Sequence, residues 1–241
     1  NALDANTTAS SLTAVGYGAL GSNTTGAQNV ALGANALDAV TTSGNNVAIG
    51  YDALTNNTAA NNTAVGNRCM DTNTTGSDNV AMGQLAMDAN TTGSYNVAIG
   101  AQALDANTTA SNNTAIGYNS LSANTTGHSN VAVGKGALDA NTTANSNTAV
   151  GYDALTANTT GTQNTSVGAY ALGTISTGSD CTAMGYAALY TSTGAQNVAV
   201  GSRSMQDNST GYDNTAIGFY SLHANTTGID NVAIGKDALS V

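Results

Sequence analysis

The chain has 241 residues, 7% charged and 41% hydrophobic, with 28 glycines, no proline, no tryptophan and a formal net charge of −10. With only four Lys and Arg against 14 Asp, it repels nucleic acid and anionic membrane surfaces, which excludes a basic-patch binder. Glutamate is absent and Lys and Arg are scarce, so the chain lacks the residues from which long helices are usually built.

From the N-terminus onward a glycine returns at a near-constant interval: Gly16, Gly33, Gly50, Gly66, Gly83, Gly100, Gly117, Gly134, Gly151, Gly168, Gly185, Gly201, Gly218 and Gly235. The spacing is 17 residues, shortened to 16 before Gly66 and Gly201. A fixed period of this size marks an array whose units cannot bury their apolar faces without neighbours. The expectation is one continuous array over residues 1–241, an all-β parallel β-solenoid of about fourteen 17-residue coils. The chain opens inside a repeat at Asn1-Ala2-Leu3 and closes inside one after Ala238-Leu239. With no atypical repeat capping either end, an excerpt of a longer fibre protein is expected. No apolar run of 18 residues occurs, so direct membrane insertion is not expected.

Counted from its leading Asn, the repeat is Asn-(Val/Thr)-Ala-(Ile/Val/Leu/Met)-Gly-x-x-Ala-Leu-x-Ala-Asn-Thr-Thr-Gly-x-x, and residues 96–112 carry it almost unchanged. The first five residues predict a short β-strand, because the second and fourth positions share one face under a period of two. The glycine then turns the chain. The fourth position is always a large aliphatic residue (Val15, Leu32, Ile49, Val65, Met82 and onward), and the ninth is always Leu or Met, from Leu20 to Leu239. These two ranks are expected to fill the coil interior. The third position then points outward, and it holds Ala14, Ala31, Ala48, Ala64, Ala81, Ala98, Ala115, Ala132, Ala149, Ala183, Ala199, Ala216 and Ala233, with Ser166 as the exception. Methyl-sized groups along an outward face predict chain-to-chain contact there, with a sister polypeptide packed too closely for anything larger. The alternative is Ala inside a narrow coil and the aliphatics at the contact. The first position is Asn except at Leu12 and Cys181, and stacked Asn side chains can bond along the axis. The Asn-Thr-Thr-Gly segment has turn composition and is placed at the outer edge.

The core Asn-Val-Ala-Ile-Gly-x-x-Ala, at Asn46 to Ala53, Asn96 to Ala103 and Asn231 to Ala238, resembles the head repeat of YadA-like trimeric autotransporter adhesins. The resemblance implies a left-handed β-roll with one coil per repeat and three chains around a common axis. The period here is longer than that family's, and the added residues fall in Asn-Thr-Thr-Gly. The variants Asn113 to Tyr118 and Asn124 to Gly127 are similar to repeats of bacteriophage tail fibres and related virion appendages. Those often carry a self-cleaving chaperone after the repeats, which this sequence does not contain. The expected function is therefore a structural or adhesive homotrimeric fibre segment, the shaft or head of a phage tail fibre. The head of a bacterial adhesin binding a host surface is the alternative. The expected partners are two further copies of the chain and a host surface glycan or protein receptor, on a virion surface or at an extracellular or cell surface.

The sequence offers no catalytic constellation, and no enzyme activity, cofactor or metal is expected. His128 and His223 fall in turns far apart and are read as solvated. Asp71, Asp88 and Asp105 share the tenth position of successive repeats. A Ca²⁺ column is conceivable there, but no recognisable loop accompanies them and solvated carboxylates are expected. Asn-Thr-Thr satisfies the glycosylation sequon at Asn6, Asn23, Asn73, Asn90, Asn107, Asn124, Asn141, Asn158 and Asn225, although a repeated turn produces that pattern on its own. Tyr17, Tyr51, Tyr118, Tyr152, Tyr186 and Phe219 follow the repeat glycine, and Tyr95, Tyr170, Tyr190, Tyr212 and Tyr220 lie elsewhere. Their rings suit either sugar stacking or cover of the roll's edge. An ice-binding solenoid is a third reading, if Asn107 and Thr109 share one flat face with their repeats. Cys69 and Cys181, many coils apart, are expected as unpaired buried thiols.

Overall fold

The computed structural model describes residues 1–240. It is an all-β parallel β-solenoid whose fourteen strands delimit about 13 turns, with no helix among the described residues. No helix is therefore long and apolar enough to cross a membrane. The chain forms two compact units, residues 1–119 and the remainder from Ser120. The first carries β1 (Thr13–Val15), β2 (Val30–Leu32), β3 (Val47–Ile49), β4 (Thr63–Val65), β5 (Val80–Met82), β6 (Val97–Ile99) and β7 (Thr114–Ile116). The second carries β8 (Val131–Val133), β9 (Thr148–Val150), β10 (Thr165–Val167), β11 (Thr182–Met184), β12 (Val198–Val200), β13 (Thr215–Ile217) and β14 (Val232–Ile234).

Within each unit the strands pair in parallel and in chain order, so that each rank of the repeat meets itself. Val97 lies against Thr114 and Ala98 against Ala115 in the first unit, and Thr165 lies against Thr182 in the second. The two 16-residue repeats keep this register, Val47 pairing with Thr63 and Thr182 with Val198. The missing residue is absorbed outside the strand. Backbone bonding continues beyond the strands: Leu20 N–H donates to Ala36 O at 3.0 Å, Ser22 N–H to Asp38 O at 3.1 Å and Thr24 N–H to Thr41 O at 2.9 Å. Most of each coil is thus tied to its neighbour, as buried amides require.

The glycine column turns the coil as the sequence predicts. Gly100 has φ +135, and a Cβ on it would lie 2.5 Å from Gly117 O, so neither conformation nor space admits a side chain. The ninth position is less expected. Leu104 adopts φ 55, a left-handed conformation that costs roughly 1–2 kcal/mol for a residue with a Cβ. Its side chain is fully buried, and burying a leucine contributes about 1.5–3 kcal/mol, enough to hold the strain.

The interior corrects the assignment of faces. Ala31, Ala48, Ala64, Ala81, Ala98 and Ala115 in the first unit, and Ala132, Ala149, Ala183, Ala199, Ala216 and Ala233 in the second, are buried within their own chain. Ala14, in the first complete repeat, is half-buried. They are not a chain-contact rank. The large aliphatics of the fourth position, expected inside, point out. The reason is volume: the ninth-position Leu fills the centre of a narrow coil beside a buried eighth residue, Ala103 next to Leu104 for example. The strand can then present only a methyl group inward. Ser166 fits the same place because its hydroxyl donates to Ala171 O at 2.8 Å.

The Asn-Thr-Thr-Gly segment is corrected too, since its Asn is interior. Asn90 and Asn107 are fully buried. Asn107 Nδ2 donates to Asn90 Oδ1 and Asn90 Nδ2 to Asn73 Oδ1, both at 2.7 Å. A second ladder runs through the first position, where Asn96 N–H donates to Asn79 Oδ1 at 2.9 Å and Asn96 Nδ2 to Ala110 O at 2.9 Å. Each coil is therefore a small apolar core of Ala and Leu flanked by two amide ladders.

Candidate interaction surfaces

Because the third position faces in, the second and fourth face out on every strand. In the first unit this exposes Val15, Leu32, Met82, Ile99 and Ile116, with Leu32 45% exposed. In the second it exposes Met184 and Ile217, with Met184 44% exposed, and Val232 and Ile234 in the last coil. The fourth-position residues between them are half-buried. Within each unit, a stripe of this kind is unusual on a chain that works alone. The face that sequence reasoning assigned to the interior is the candidate contact face. One sequence signal pointed that way: the second position exchanges Val and Thr freely, as an outward rank can.

The ranks proposed for ice do not share a face. Asn107 is buried and hydrogen-bonded inside the coil while Thr109 is exposed. The intervening Thr rank uses its hydroxyl on the next coil, Thr91 Oγ1 donating to Thr108 O at 2.9 Å. Seven of the nine sequon asparagines follow the same logic, while Asn6 is exposed and Asn225 half-buried. Asn23, Asn73, Asn90, Asn107, Asn124, Asn141 and Asn158 are buried, and Asn73 Nδ2 donates to Asn57 Oδ1 at 2.7 Å and to Gly76 O at 2.9 Å. Inside the folded coil these amides are out of reach for glycosylation.

The tenth-position carboxylates are not simply solvated. Arg68 reaches both Asp71, at 3.5 Å, and Asp88, at 3.3 Å. Burial nevertheless raises both acids above the usual carboxylate range, with Arg68 opposing the rise and their mutual repulsion adding to it for Asp88. Among the described residues no group of three or more His, Cys, Asp or Glu could hold a metal ion. Cys69 and Cys181 are free and buried, and burial pushes their thiols up to about 12 and about 11. His128 is exposed. His223 is not a bare surface histidine: it stacks on Tyr220 at 4.5 Å, with Nδ1 3.8 Å from Asp207.

The second unit also gathers aromatic and cationic side chains on the segment that follows the turn glycine. Tyr170 meets Tyr152, Tyr186 and Tyr190 edge-on at 5.3, 6.0 and 6.4 Å. Lys135 lies over Tyr152 at 5.3 Å, and Arg203 over Tyr186 and Tyr220 at 5.9 and 5.6 Å. Arg203 also donates to the Tyr220 hydroxyl. Partial desolvation by this crowd, with the Tyr152 ring group beside it, holds the Tyr170 hydroxyl above its ordinary range. A cleft of about 420 Å³ opens between Tyr170, Tyr186, Ala187, Tyr190, Arg203 and Gln206. The tyrosines were visible in the sequence. Their convergence was not, because Tyr170 and Tyr190 occupy different positions of different repeats.

Comparison of the chain with protein-family models, with curated proteins and with solved structures finds no match.

Proposed function

We propose that this chain is a non-catalytic structural segment of an extracellular or virion fibre, in which three copies pack their outward strand faces around a common axis. The observation that carries the reading is the outward pair of the second and fourth positions on every strand, the fourth always a large aliphatic and the second Val on seven strands and Thr on the other seven. With the sixth position it supplies three outward side chains per coil, and over the seven strands of each unit that reaches the ~20–30 residues a side of a standard interface. The trimeric count and the tail-fibre setting follow the resemblance of the repeat, and a bacterial adhesin head would use the same stripe. Interior Ala and two Asn ladders give each coil a fold of its own, so association adds contact without being needed to form the coil.

Sedimentation equilibrium tests the reading. The expected mass is three times the 23.6 kDa chain, and Ile99→Asp with Ile116→Asp yields a folded monomer, because each places a charge in a desolvated contact. A wild-type chain that sediments as a monomer at high micromolar concentration defeats the proposal.

A further inference from the structure

We propose that the slot over Ala187 in the second unit binds a single hexopyranose ring of an uncharged saccharide. The slot follows from the sequence of one rank. Tyr170, Ala187 and Arg203 occupy the seventh position of three successive coils, so Tyr170 and Arg203 stand roughly 10 Å apart at two strand spacings. The Ala187 methyl group lies buried at the floor between them, and the Tyr186 ring, 6.0 Å from Tyr170 and 5.9 Å from Arg203, borders the space that is left. Tyr186 and Tyr190 form the walls. The resulting cleft, about 420 Å³, falls within the range of small-ligand sites.

Its chemistry selects the ligand. Tyrosine rings offer flat apolar faces with polar tips, matching a sugar whose ring C–H groups are apolar and whose rim is hydroxylated. Gln206 lines the cleft, and its Oε1 is buried with no hydrogen-bond partner. An orphan acceptor of this kind is costly, and a turn of the Gln206 amide toward the cleft would let a ligand hydroxyl satisfy it. An apolar ligand would leave it unpaired. A cation is disfavoured by Arg203 in the wall. An anion is disfavoured because the guanidinium is already engaged by the Tyr220 hydroxyl and two rings, on a chain of net charge −10. The cleft lies after the turn glycine, but its Tyr186 wall belongs to the sixth position that the proposed association also uses, so the cleft is tested on the monomeric Ile99→Asp, Ile116→Asp variant as well as on the wild type.

Saturation-transfer NMR with the methyl glycosides of glucose, galactose, mannose and N-acetylglucosamine, and with glucuronate as the charged control, tests it. The expected result is transfer to at least one neutral glycoside, with a dissociation constant on the order of millimolar. Ala187→Gln should abolish the transfer by filling the slot while keeping the fold, since the array already carries Gln102 at this position with φ 56. Tyr190→Ala should weaken binding by roughly tenfold, the scale of one aromatic contact. The monomeric Ile99→Asp, Ile116→Asp variant should leave binding intact. No transfer to any neutral glycoside, transfer that survives Ala187→Gln, or binding of glucuronate alone overturns the proposal.

Discussion

A single strand shows how differently adjacent residues act. Ala98 is wholly buried beneath its own coil while Ile99 is exposed beside it. Ala98→Asp should therefore unfold the coil within the monomer, at a cost of several kcal/mol for an unpaired buried charge, while Ile99→Asp leaves the denaturation midpoint of the monomer nearly unchanged. Circular dichroism in urea below the association concentration distinguishes the two. Strain is equally local. Gln102 has φ 56 where Gly18 and Gly136 stand in other repeats, so Gln102→Gly should raise unfolding free energy by about 1 kcal/mol, the relief of a left-handed residue. Asp71 and Asp88 set a pH dependence. Their folded-state pKa values are raised mainly by burial, so they favour unfolding when ionised, and that penalty disappears as pH falls through the folded values to below the unfolded carboxylate range. The melting temperature of the wild type relative to an Asp71→Asn, Asp88→Asn variant should rise on acidification from pH 7 toward pH 3; a flat difference refutes it.

At the scale of the element, each coil is held by two amide ladders as well as by its core. The interior-facing apolar groups are chiefly two small residues and one Leu or Met, and the amides of two Asn ranks satisfy the backbone between them. Where a ladder is interrupted, the effect is visible next door. Val40 and Ile175 replace Asn in the twelfth position, and the buried Oδ1 atoms of Asn23 and Asn158, one coil before each, have no hydrogen-bond partner. Asn90 sits mid-ladder, accepting from Asn107 and donating to Asn73 Oδ1 and Gly93 O. Asn90→Ala should therefore destabilise by about 1–3 kcal/mol more than Asn158→Ala, because the first leaves buried partners unsatisfied and the second also removes an orphan. Equal losses in chemical denaturation would show that the ladder bonds carry no net stability.

At the scale of the whole molecule, charge and apolar surface oppose one another. Each chain carries −10, so copies repel, while in the proposed assembly the exposed aliphatic stripe would draw them together. Raising salt screens the first and leaves the second. Self-association should strengthen between 50 mM and 500 mM NaCl, measured by sedimentation, whereas assembly driven by ion pairs would weaken. The low count of cations agrees with a contact built on shape and apolar area, since few Lys or Arg exist to pair with the acids.

Period, strand positions, turn glycines and the stacked asparagines of the first position were all legible in the sequence, because a repeat displays its own register: residues 17 apart occupy equivalent sites. Which face of the strand points inward was not. Alternation states that the third position opposes the second and fourth, and both orientations satisfy it. The choice depends on coil volume, a property of the closed turn, in which the left-handed ninth residue swings its side chain across the interior and leaves the strand room for a methyl group alone. The buried twelfth-position Asn and the cleft over Ala187 were hidden for the same reason, since each depends on which side chains of different positions converge once the coil has closed.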